Sequence, residues 1–92
     1  MKNLEKILKG LANKRRLAII KLLLQKKRPL SVGEIADAIR LSFTATSKHL
    51  NLLRQLDIVE RNQVSLTVFY RLADSLPAAV RVLIFLISNS RE

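Results

Sequence analysis

Between Ser42 and Arg54, the residues Phe43, Thr44, Ser47, Lys48 and Asn51 recur at spacings that gather them on one face of a helix. The set offers two hydroxyls, an amide, a cation and an aromatic ring. Such groups bond phosphate oxygens and the edges of bases. Covalent chemistry has no comparable set. The seven acidic residues are scattered, and no glycine-rich phosphate loop exists. The lone histidine, His49, has no cysteine beside it and no serine with an orienting acid. An enzyme is therefore not expected. With no cysteine, disulfides, thiolate metal sites and thiol redox sensing drop out. One imidazole without nearby carboxylates supplies too few ligands for a structural metal. Neither a metal nor any other cofactor is expected.

The charge balance points the same way. Seventeen Lys and Arg stand against seven Asp and Glu, a formal net charge of +10 on 92 residues. So large an excess on a small surface favours a polyanionic partner, nucleic acid first and an anionic membrane second. Much of it lies early, at Lys2, Lys6, Lys9, Lys14, Arg15, Arg16, Lys21, Lys26, Lys27 and Arg28, against Glu5 alone. Lys14, Arg15 and Arg16 open a helix whose free N–H groups already favour anions, which makes them candidates for contacts to flanking phosphates. The longest apolar run, Val82 to Ile87, falls far short of the roughly 20 residues that span a bilayer. The opening Met1-Lys2-Asn3-Leu4 lacks the apolar core of a secretory signal. A cytoplasmic protein without a membrane partner is expected.

The elements that must position this face can be read from period and punctuation. Hydrophobic residues make up 49% of the chain and aromatics 4%, so the core is aliphatic. The length is that of one domain, 1–92. Leu4, Ile7, Leu8 and Leu11 form one helical stripe. Asn13 can cap a second helix with Leu17, Ile20, Leu23 and Leu24 on its apolar face, and Pro29 stops it. Ser31 and Glu34 have the spacing of a capping box, opening a short helix that carries Ile35, Ala36 and Ile39. Arg40-Leu41-Ser42 makes a tight connection, and Ser42 can cap a fourth helix running to about Leu56, with Asp57 in the left-handed turn beyond. On that helix Thr46, His49, Leu50 and Leu53 face the core. The period then changes. Ile58 to Gln63 and Thr67 to Leu72 read as a β-hairpin, and Pro77 sits in the first turn of a last helix.

The last helix is apolar on more than one side. Val80, Leu83, Ile84 and Ile87 form one stripe, while Val82, Phe85 and Leu86 fill much of the rest. A helix of this kind is covered on two sides, which predicts a homodimer. The expected interface joins Leu4, Ile7, Leu8 and Leu11 of the first helix to Val80, Leu83, Ile84 and Ile87 of the last.

The order ααααββα, mainly α with a β-hairpin wing, describes a winged helix-turn-helix. Here the chain resembles a known family. Leu11-Ala12-Asn13-Lys14-Arg15-Arg16-Leu17, Leu30-Ser31-Val32-Gly33-Glu34-Ile35-Ala36 and Ser47-Lys48-His49-Leu50-Asn51-Leu52-Leu53-Arg54 look like the ArsR-type (arsenic-repressor-like) regulators of bacteria and archaea. Ile58-Val59-Glu60-Arg61 and Val68-Phe69-Tyr70-Arg71-Leu72 are similar to that family's wing strands. The resemblance implies a dimeric repressor whose fourth helix enters the major groove of double-stranded DNA. It also implies that His49 packs against the domain while bonding the backbone or a phosphate.

Several residues depart from the family pattern. The third helix has no Cys, and Pro77 to Ser88 contains no Asp, Glu or His, so both of the family's metal-sensing modes are absent. Phe43 stands where a polar residue is usual. It either touches a thymine methyl or folds back to close the gap between the two helices. The wing tip, Asn62-Gln63-Val64-Ser65-Leu66, has neither glycine nor charge, leaving Arg61 and Arg71 as the hairpin's cations. The sequence thus predicts a DNA-binding regulator acting as a homodimer, most simply a repressor by promoter occlusion, without metal sensing. Phe43, Thr44, Ser47, Lys48, His49, Asn51 and Arg61 are its expected DNA contacts. No small-molecule or protein effector can be named from the residues. The competing reading is a protein-interaction module on the same fold, an antitoxin-like or assembly factor, which the apolar wing tip favours mildly. An RNA or membrane-surface binder is the third.

Overall fold

The computed structural model describes residues 4–89. Its elements are α1 (Leu4–Leu11), α2 (Lys14–Lys26), β1 (Leu30–Ser31), α3 (Val32–Ile39), α4 (Phe43–Gln55), β2 (Val59–Val64), β3 (Thr67–Leu72) and α5 (Ala78–Ser88). The helix boundaries follow from local chemistry. The Asn13 side chain accepts from the backbone N–H groups of Arg15 at 3.0 Å and Arg16 at 3.1 Å, satisfying donors that the first turn of α2 leaves open. At the other end Lys27 takes the left-handed conformation, φ 55°, and its N–H bonds the Leu23 carbonyl. The helix therefore stops before Pro29 can act on Arg28, earlier than the proline alone predicts.

The capping box forms in both directions. Ser31 Oγ accepts from Glu34 N at 3.1 Å, and Glu34 Oε1 accepts from Ser31 N at 3.0 Å. Glu34 Oε2 also meets the Arg28 guanidinium at 2.9 Å. Arg28, together with the Ser31 N–H, holds the Glu34 carboxyl down at about 2 from an ordinary 4.5. A carboxyl held low in the folded chain contributes stability above its unfolded value and loses it as pH falls toward the folded one. Wild-type thermal midpoints should therefore fall between pH 4.5 and about 2 more steeply than those of Glu34→Gln, whose amide keeps the cap without titrating. Superimposable slopes in that window would refute the assignment.

Asp57 takes the left-handed turn after α4, at φ 60°. Its neighbour Ile58, predicted as the first residue of the wing, is instead fully buried in the core, and β2 runs one residue later, to Val64. The turn at Ser65, φ 56°, returns the chain into β3, with Val59 opposite Leu72 and Val64 opposite Thr67. The sheet has a third strand that periodicity did not reveal. Leu30 pairs with Tyr70 and Ser31 with Phe69, giving the antiparallel order β1-β3-β2. Two residues are too few to show alternation, and their partner lies far along the chain. Pro77 stands just before α5 rather than within it, and its carbonyl accepts from Arg81 N at 3.1 Å.

One aliphatic core joins all the helices to the root of the sheet. Ile7, Ile19, Ile20, Ile35, Leu50, Leu53, Ile58 and Val80 are fully enclosed. This corrects part of the expected dimer stripe. Ile7, Leu11, Val80 and Ile84 are buried within their own chain, and Leu83 packs against the same core. These side chains point inward because the chain's own core claims them first, while Leu4 and Leu8 of the same expected stripe stay exposed. The side chain of Ile87 lies outside the described residues. Among the described residues, the large apolar groups that the first and last helices leave on the surface are Leu4 and Leu8 of α1, with Val82, Phe85 and Leu86 of α5.

Candidate nucleic-acid interface

Helix α4 is set by its buried side. Ser42 Oγ caps it, accepting from Ala45 N at 3.1 Å, while Thr46, Leu50 and Leu53 are buried to 0% exposure in the core. At 100° per residue that anchoring turns Thr44, Lys48 and Asn51 to solvent, with Ser47 half-buried at the margin. Among the described residues, the Thr46 hydroxyl is buried without a hydrogen-bond partner. An orphaned buried hydroxyl costs about 1–3 kcal/mol, so Thr46→Val should raise the thermal midpoint and leave ligand affinity unchanged. An unaltered or lowered midpoint would show that the hydroxyl is satisfied.

The wing stands beside this helix. A groove of about 510 Å³ separates them, and Phe43, Ser47, Asn51, Arg61, Leu66 and Thr67 are among the residues lining it. Four of the residues singled out from sequence, Phe43, Ser47, Asn51 and Arg61, therefore meet in one place. Thr44 and Lys48 lie next to it on the same helix. Phe43 is 61% exposed and does not close the gap between the helices. The Asn51 carbonyl oxygen accepts from Arg54 at 3.0 Å, which fixes its amide group. The groove also takes in Ser31 and Gly33 from the start of α3, neither of which was expected from sequence as a DNA contact. Their signal was the capping box, which places that helix end at the surface.

The wing's charge is less than its cations suggest. Arg71 pairs across the strands with Glu60 and holds Asp74 through both carboxylate oxygens, at 2.9 and 3.2 Å. Positive potential on the hairpin therefore rests with Arg61. The tip carries Leu66, 94% exposed, and Val64 beside it.

On the opposite side of α4, His49 turns toward α2. Its Nδ1 lies 3.3 Å from Arg16 Nη1. Burial first, then Arg16 and Arg15, push the imidazole below its ordinary value, which favours the neutral ring. Arg16, expected to contact flanking phosphates, turns inward instead. Its Nε donates to the Gly10 carbonyl, one of the groups that the end of α1 leaves without a helical partner. Lys14 and Arg15 remain exposed, and with Lys21 and Arg40 they line a basic groove of about 560 Å³ between α2 and α3. Arg40 belongs to this group only in three dimensions, because it enters from the far end of α3.

The chain matches the family model for bacterial regulatory proteins of the arsR family over residues 13–61. It is 42% identical over 69 residues to the transcriptional activator HlyU of Vibrio cholerae, covering 75% of this chain and 62% of that protein. The chain thus spans less than two thirds of that relative. Reduced HlyU from the same organism superposes with a TM-score of 0.75 at 39% identity, over 89% of this chain and 81% of the other. The homodimeric winged helix-turn-helix DNA-binding domain Mb0332 of Mycobacterium bovis gives a TM-score of 0.74 at 32% identity, over 90% of this chain and 72% of that one. The family match runs from the cap of α2 into β2, and the shared fold extends on through the wing. The chain belongs to the arsR family of bacterial regulatory proteins.

Proposed function

We propose that this protein is a homodimeric, sequence-specific regulator that places α4 in the major groove of double-stranded DNA and lays its β2–β3 wing along the adjoining backbone. The observation that carries this reading is the groove shared by Phe43, Ser47, Asn51 and Arg61 beside the exposed Thr44 and Lys48. Hydroxyls, an amide and a cation are held there on a rigid helix, at the edge of a chain with net charge +10. Phe43, exposed at the start of α4, offers an apolar surface that suits a thymine methyl. His49, expected from sequence as a DNA contact, lies on the other side of α4, facing Arg16.

Dimerisation is supported by the exposed Leu4, Leu8, Val82, Phe85 and Leu86, and by the homodimeric state in which Mb0332 is described. Leu4 and Leu8 belong to the stripe expected from sequence, and Val82, Phe85 and Leu86 stand in for its buried members on α5. Control without metal sensing is supported by the ligand inventory: no cysteine, and a single histidine whose Nδ1 already faces Arg16. The reading places the protein in the cytoplasm with the DNA. Among the described residues no helix is long and apolar enough to cross a membrane. Repression by promoter occlusion is the simplest consequence of operator binding. The Vibrio relative carries the name of an activator, and the sign depends on where the operator lies relative to the promoter.

Selection of bound duplexes from a random DNA pool tests the proposal. An inverted repeat is expected, with half-sites roughly 10–10.5 bp apart, because two symmetry-related helices reach successive major grooves. A pool that fails to enrich would overturn it. The exposed apolar wing tip favours the second reading, a protein-interaction module, and that reading then takes precedence.

A further inference from the structure

Three helices meet at one side chain. Arg16, in the first turn of α2, donates from Nε to the Gly10 carbonyl at the end of α1. From Nη1 it reaches His49 Nδ1 in the middle of α4, at 3.3 Å. An arginine has no acceptor and does not lose its proton, so the imidazole nitrogen facing it must be the acceptor. The hydrogen of a neutral His49 is thereby assigned to Nε2. His49 directly follows Lys48, on the helix that carries Thr44 and Ser47.

We propose that Arg16 is the positioning residue of the recognition helix: without touching DNA, it fixes the rotation of α4 and sets His49 as the neutral tautomer that donates from Nε2. This rests on the DNA-binding reading given above. The guanidinium suits the task because its planar fork serves two acceptors on two different helices at fixed angles. A lysine ammonium carries the same charge but lacks the fork. The contact also ties α4 to α1, whose Leu4 and Leu8 belong to the proposed dimer surface. The pairing of two chains and the setting of each reading head are therefore connected through one side chain.

The charged groups that act on His49 are Arg16 and Arg15 of α2; on its own helix the neighbour in sequence is the exposed Lys48. Protonating the ring adds a cation to that group and removes the acceptor that Arg16 needs. Discrimination between a selected and a scrambled duplex should then fall as pH drops below the ordinary histidine value of 6.5. Non-specific binding moves the opposite way, because each added positive charge favours phosphate.

The test combines imidazole ¹H–¹⁵N spectra of the intact protein with fluorescence anisotropy on the two duplexes at about pH 7.5 and 5.5. In wild type the spectra should show His49 neutral, protonated at Nε2, and titrating below 6.5. In Arg16→Gln the titration should move up toward the ordinary value and the tautomers should mix. Discrimination at the higher pH should drop about tenfold, the equivalent of one hydrogen bond to a charged group. Arg16→Lys, which retains the charge, should lose discrimination in the same way. His49→Asn keeps an acceptor toward Arg16 in Oδ1 but has no titrating ring, so its discrimination should be the same at both pH values whatever its level. A merely structural arginine would give neither the tautomer change nor a pH dependence that His49→Asn abolishes. Circular dichroism and light scattering establish that each variant is folded and dimeric. If Arg16→Gln folds poorly, Arg16→Lys and His49→Asn decide alone. Unchanged discrimination in Arg16→Lys, or a pH dependence in His49→Asn as steep as in wild type, overturns the proposal. If wild type binds no selected duplex, the DNA reading fails. The Arg16–His49 link then stands or falls on the spectra.

Discussion

Thr44→Ala, Ser47→Ala and Lys48→Ala combined should abolish preference for a selected duplex while leaving the chain folded and dimeric. None of the three side chains is in the core, and Thr44 and Lys48 are exposed, so their truncation costs the fold little. Each hydroxyl offers one or two hydrogen bonds worth about 0.5–1.5 kcal/mol. Lys48 contributes differently according to its partner. On guanine its loss relaxes one position by about 1–3 kcal/mol. On a phosphate its loss weakens all sequences alike and lowers the salt slope by about one. Together the three account for about 2–6 kcal/mol, enough to erase specific binding at ordinary concentrations. Anisotropy on the selected and scrambled duplexes at two salt concentrations reads both effects. If the triple variant is folded, dimeric and as tight as wild type, α4 is not the reading element.

Two substitutions two residues apart should fail in different ways. Leu86 is 58% exposed on α5, whereas Ile84 is 9% exposed in the chain's own core. If the outer face of α5 meets a second copy, Leu86→Asp buries an unpaired carboxylate there. Two-fold symmetry applies the penalty twice, at several kcal/mol for each charge. The expected result by light scattering is a folded 10.5 kDa monomer in place of a particle of twice that mass. Ile84→Asp places the same charge in the core and should unfold the chain before association is at issue. Circular dichroism separates the two outcomes. A Leu86→Asp protein that remains dimeric would move the interface away from this face. The monomer should also lose the gain from engaging two half-sites together, so its affinity for the inverted repeat falls toward that of a single site.

Caps, breakers and period were legible in the chain because their causes are local. Asn13, Ser31 with Glu34, Ser42 and Asp57 each act on backbone within three residues, and each stands where the sequence predicts. The recognition face was legible for a related reason. Once Thr46, Leu50 and Leu53 are recognised as the inward row, 3.6-residue geometry leaves Thr44, Lys48 and Asn51 outside. Composition alone removed thiol chemistry and favoured a polyanion.

Tertiary structure decided everything that depends on competition between distant partners. Periodicity showed that α1 and α5 are apolar but not which apolar row the domain would take, and the core took Ile7, Leu11, Val80 and Ile84. A two-residue strand became visible only through its pairing with Tyr70 and Phe69. Charge counting could not separate Arg16, turned inward to Gly10 and His49, from its exposed neighbours Lys14 and Arg15. It likewise could not show that Glu60 and Asp74 offset Arg71 while Arg61 faces the groove. Local rules fix what a residue can do to its own backbone. Which partner a long side chain or an apolar face finds is set by packing among segments far apart in the chain, and only the assembled core carries that information.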